Sequence, residues 1–162
     1  MKQDIILLLP ILFPVFAGVL LFWKKLLPKK QARFLYVAVI SAVELILVLI
    51  VGSGGYEFGM FFMTGRAVLL LRPDRLSMLF GVLSAMMWLL SAVYTSEYME
   101  NKDAKSYQAF FLISIGAITA LCFSGNFITM YLFYELMTLS VLPFIIYEQT
   151  KMAVRTGYQF LL

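Results

Sequence analysis

The sequence contains no histidine, a single cysteine and few charged residues. Only 14% of its 162 residues are charged, against about a quarter in soluble domains. Without histidine, the chain has no imidazole for a haem, a zinc site or a proton relay. Cys122 alone cannot form an internal disulfide or hold an iron–sulfur cluster. We therefore predict no catalytic residue, no cofactor and no metal site in this chain.

Apolar residues make up 62% of the chain, and they are concentrated in runs of about twenty. A run of this length matches the roughly 30 Å hydrocarbon core of a bilayer at about 1.5 Å of helix rise per residue. The runs cover residues 5–23, 34–51, 75–95, 107–123 and 127–147, and residues 157–162 begin another. The pattern predicts an all-α integral membrane protein with about five transmembrane helices and the start of a sixth.

The segment between the second and third runs, residues 52–74, is broken by glycines. Gly52, Gly54 and Gly55 end the second helix, and Thr64-Gly65 could turn a short hairpin at the membrane surface. We predict that residues 1–106 hold three flanking helices with this outer hairpin-like loop. Residues 107–162 form the second part of the chain.

The positive charges predict the orientation of the helices. With the N-terminus outside, the inner loops 24–33, 96–106 and 148–156 hold nine lysines and arginines, and the outer segments hold four. This distribution follows the positive-inside rule. We therefore interpret the net charge of +4 as a topology signal, and we expect no nucleic-acid partner.

Two glutamates fall in the middle of predicted membrane helices, Glu44 and Glu135. A charged residue at that depth costs on the order of 2.5 to 3.5 kcal/mol on insertion scales. Protonation or pairing lowers the cost, and pumps and transporters place acids at such depths because they can take up and release protons.

Glu135 has the richer surroundings. Tyr131 and Thr138 share its helix face and could hydrogen-bond to it or to a water chain. Pro143 lacks an N–H and leaves the carbonyl of Leu139 without its helical donor, which could kink the helix. We predict that Glu135 transfers protons with Tyr131 and Thr138. The alternative is an acid that hydrogen-bonds a neighbouring helix and has no transport role.

Glu44 lies among Val, Leu and Ile residues, with Ser41 on the same face. For this acid a protonated group or a contact between subunits is the favoured interpretation. A proton-transfer role for Glu44 is retained as the second hypothesis.

Four short stretches suggest a family. Residues 131–140, Tyr-Leu-Phe-Tyr-Glu-Leu-Met-Thr-Leu-Ser, resemble the fifth-helix motif of antiporter-like subunits of respiratory complex I, membrane-bound hydrogenases and Mrp-type cation/proton antiporters. Residues 125–127 resemble the turn that leads into that helix. Residues 72–77 and 94–99 resemble the segments that open and close the third helix. The matches keep their order over most of residues 56–160.

The resemblance implies that Glu135 corresponds to the family's key fifth-helix glutamate. In the family this acid pairs with a lysine on a later, broken helix, and the pair gates a hydrated half-channel. The sequence ends at Leu162, before such a helix, and Lys151 and Arg155 lie in a predicted inner loop. We therefore expect a partial antiporter-like fold, from a fragment of a longer subunit or the product of a split gene.

The leading hypothesis for function is a proton-translocating, antiporter-like subunit, or its N-terminal part, in a complex I-like or hydrogenase-like assembly. The second is a subunit of a Mrp-type sodium/proton antiporter, and the third is a structural subunit without an ion path. The expected partners are other membrane subunits, the lipid bilayer and protons, with sodium as a second candidate ion. The expected location is the plasma membrane of a bacterium or archaeon.

Overall fold

The computed structural model describes residues 5–22, 29–62, 67–98 and 105–146, and these residues are mostly helical. A 3₁₀ turn, Ile5–Leu8, leads into α1, Leu9–Phe22. The other elements in chain order are α2 (Lys30–Gly52), β1 (Phe58–Phe62), β2 (Ala67–Leu71), α3 (Arg75–Tyr98), α4 (Lys105–Cys122) and α5 (Phe127–Ile146). The helices lie where the apolar runs predict them.

Four helical segments in the described part of the chain are long and apolar enough to cross a membrane. They are Ile5–Phe22, Gln31–Gly52, Arg75–Thr95 and Lys105–Cys122. The apolar part of α5, Phe127–Pro143, is shorter. The structure therefore fits a membrane-embedded helical protein, while the count of five crossings stays a prediction. The sheet of β1 and β2 is the exception to an all-α description.

Capping side chains set where two of the helices begin. Asp74, one residue before α3, caps this helix: the Ser77 backbone N–H donates to its Oδ1 at 2.7 Å. The Thr129 N–H donates to Asn126 Oδ1 at 2.8 Å at the start of α5. After α2 the chain turns through Gly55, whose φ of 62° lies in the left-handed region that favours glycine.

Helices α1 and α4 run antiparallel and touch through glycines. A Cβ at Gly18 would lie 2.6 Å from the carbonyl oxygen of Ala109, and a Cβ at Gly116 would clash with that of Ile11. Small residues let membrane helices approach closely and gain van der Waals contact. This interface therefore depends on the absence of two side chains.

Helix α2 runs parallel to α4 and antiparallel to α3. Near the start of both helices, Phe34 and Val37 of α2 lie beside Gln108 of α4. Further along both helices, Glu44 of α2 is hydrogen-bonded to Thr119 of α4. Val48 of α2 lies beside Gly81 near the start of α3. The directions of α1 to α4 are those of a chain that crosses back and forth.

The two strands pair antiparallel, with Phe58 opposite Leu71 and Phe62 opposite Ala67, in the segment where the sequence predicts a hairpin. The hairpin is attached to the α4–α5 turn. The Arg72 N–H donates to the Phe123 carbonyl at 2.8 Å, and the Gly125 N–H donates to the Leu70 carbonyl at 2.7 Å. The chain from β2 to Arg72 is therefore fixed to the end of the bundle where α4 meets α5.

Two apolar clusters fill the bundle at different heights. The first is Ala17, Leu21, Val37, Ile40, Ala92, Ala109, Phe111, Leu112 and Ile115. The second is Leu7, Ile11, Val48, Val51, Phe58, Leu71, Ala120 and Phe123. In both α2 and α4, the residues of the first cluster lie nearer the N-terminal end of the helix and those of the second lie nearer its C-terminal end. The level between them is where the candidate site lies.

Several predictions fall outside the described residues. These are the positive residues Lys24 and Lys25, the hairpin turn at Thr64-Gly65, the loop residues 99–104, the link that holds Lys151 and Arg155, and the beginning of a sixth helix at 157–162.

Candidate functional site

The carboxyl group of Glu44 is enclosed at the level between the two apolar clusters. Its side chain has no exposed surface. On α2 it lies one turn after Ile40 of the first cluster and one turn before Val48 of the second. An acid at this level is surrounded by apolar side chains above and below.

Thr119 of α4 provides the hydrogen bond to this acid. Its Oγ1 hydroxyl donates to Glu44 Oε1 at 3.0 Å, while the buried Oε2 has no hydrogen-bond partner among the described residues. The Ser41 hydroxyl, one turn away on α2, donates to the Val37 carbonyl at 2.9 Å instead. The oxygen without a partner, Oε2, can carry a proton or accept a hydrogen bond from water.

Few charges lie near this site. Helix α1 carries no charged residue, and α4 carries only Lys105 at its first position. The nearest cation on α2 is Arg33, eleven residues or about 16 Å along the helix from Glu44. Burying an ionised carboxylate without a partner cation is costly, and the nearest cation on its own helix is too far away to pair with Glu44.

The structure places Glu135 differently, on the exposed face of α5. Its neighbours on that face are also uncovered by the described residues, with Tyr131 64% exposed and Leu139 55% exposed. The two glutamates are therefore not brought together. One is sealed inside the bundle, and the other lies on a surface open to lipid or to another helix.

The polar neighbours predicted for Glu135 do not both point to its carboxylate. The Thr138 hydroxyl donates to the backbone carbonyl of Glu135 at 2.8 Å. Tyr131 is on the exposed face one turn earlier. Pro143 lies inside α5, which continues to Ile146. Among the described residues, Tyr131 and Thr138 form no hydrogen bond to another helix, so the proton-transfer roles of Tyr131, Thr138 and Glu135 stay predictions.

A second buried polar group lies on the same α2–α4 interface, nearer the start of both helices. Gln108 is 2% exposed, and neither its Nε2 nor its Oε1 has a hydrogen-bond partner within the described ranges. It lines a small pocket together with Phe34, Val37, Ala92, Thr95, Tyr107 and Phe111. Buried polar groups nearly always have a partner, which is often an ordered water.

Sequence reasoning did not single out Thr119 or Gln108. Each is one polar residue in an apolar helix, and the only sequence signal is their spacing of eleven residues, which places both on one face of α4. The packing of α2 on α4 had to be known before Thr119 could be identified as the partner of Glu44. In the described ranges, no group of three His, Cys, Asp or Glu side chains is placed to hold a metal ion.

Comparison with known proteins identifies no relative. No protein-family model matches the chain, and no curated protein matches it.

Proposed function

We propose that this chain is a proton-translocating, antiporter-like subunit, or the N-terminal part of one, in a multi-subunit complex of the plasma membrane. A complex I-like or membrane-bound hydrogenase-like assembly is the leading candidate. The observation that carries the proposal is the place of Glu135, at mid-length of an apolar helix on a face that the described residues leave uncovered. The topology proposed with it has five crossings and the N-terminus outside.

The cost of an uncovered acid supports a partner for this face. A glutamate that faces lipid at mid-membrane costs on the order of 2.5 to 3.5 kcal/mol, and a facing polar or cationic group removes much of that cost. Intramembrane acids therefore face a bundle interior or a water-filled cavity in most proteins. A further membrane helix against α5 would turn the exposed face around Glu135 into such an interior.

The same arrangement serves a sodium/proton antiporter of the Mrp type. The two functions differ in the source of energy, which is electron transfer in one and an ion gradient in the other. Transport that depends on sodium and needs no electron donor would favour the antiporter.

Substitution Glu135→Gln in the intact complex tests the proposal, because glutamine keeps the shape and removes the titratable proton. We expect the complex to assemble and proton pumping into vesicles to fall by roughly 10²-fold or more, the lower range for loss of one proton-transfer group. Glu57→Gln, an acid in the loop before β1, is the matched control and should pump at the wild-type rate.

Pumping at the wild-type rate in the Glu135→Gln complex would contradict the proposal. If deletion of the chain then abolished assembly, the chain would be a structural subunit.

A further inference from the structure

We draw no further inference here: the strongest candidate, the buried carboxyl group of Glu44 between α2 and α4, belongs to the candidate site already described, and its hydrogen bond from the Thr119 hydroxyl does not show what ligand or ion it would bind.

Discussion

At the scale of single residues, Asp74 shows how one side chain fixes the start of a membrane helix. The Ser77 backbone N–H donates to its carboxylate at 2.7 Å and satisfies one of the free donors of the first turn of α3. This hydrogen bond holds the pKa of the Asp74 carboxyl group below its usual value. The group is ionised at neutral pH and also faces the positive end of the helix dipole.

A pH-dependent contribution to stability follows from this cap. Since the pKa of Asp74 is lowered in the folded state, its stabilisation is present above the unfolded pKa, near 4, and is lost as the pH falls through the folded pKa. We expect the melting temperature of the wild type to exceed that of Asp74→Ala at pH 7, and the difference to shrink below about pH 4.

Asp74→Asn is the control for this experiment. Asparagine is also a good cap but does not titrate. Its advantage over Asp74→Ala should therefore stay constant across the same pH range. A constant gap between the wild type and Asp74→Ala down to strongly acidic pH would contradict the assigned role of the carboxylate.

The residues also show what the sequence could and could not predict. The Asp74 cap and the positions of both glutamates along their helices follow from local patterns, because a cap and a helix position depend on near neighbours along the chain. The partner of Glu44 does not, because Thr119 lies 75 residues away and reaches it only through the packing of α2 on α4. A single hydroxyl in an apolar helix carries no signal of its own about what it faces.

At the scale of secondary-structure elements, two glycines bring the backbones of α1 and α4 close together. A Cβ at Gly116 would meet Val15 Cγ2 at 2.6 Å as well as the Ile11 carbonyl oxygen. We expect Gly116→Ala to separate the two helices and to cost about 1 to 3 kcal/mol of stability, the typical range for overpacking. Thermal or denaturant unfolding in detergent measures the loss.

Gly81→Ala is the matched control. There a Cβ would lie 3.3 Å from Val48 Cγ1 and 3.5 Å from Phe123 Cε1, so a small movement accommodates it. Alanine also has a helix propensity about 1 kcal/mol better than glycine. We expect Gly81→Ala to be near neutral. An equal loss of stability in both variants would mean that neither contact is as close as the structure has it.

Helices were easier to predict than their contacts. Runs of twenty apolar residues and breakers such as Gly52 and Gly125 give the bounds of α2 and α5 to within a few residues, since these depend on composition alone. The attachment of the hairpin to the α4–α5 turn involves the backbone groups of Leu70 and Gly125, and backbone groups have no signature in the sequence.

At the scale of the whole molecule, the bundle has two kinds of exposed face. The outward face of α1, with Leu12, Phe16 and Leu20, is apolar throughout. The outward face of α5 is apolar except for Glu135 and its tyrosines. Lipid solvates the first face without cost, whereas the second is costly to leave in lipid. The difference between the faces predicts where another membrane subunit packs.

Spin labels on the two faces test this prediction in the assembled complex. With Cys122 replaced by alanine, one label is attached at Leu139→Cys, one turn after Glu135, and another at Phe16→Cys on α1; these positions are 55% and 62% exposed in the isolated chain. Oxygen concentrates in the lipid core and relaxes a label that contacts it. If another subunit covers the Glu135 face, the label at 139 should be much less accessible to oxygen than the label at 16. Equal accessibility would leave Glu135 facing lipid, where it could be tolerated only as a neutral acid, and that would remove the observation on which the proposed function rests.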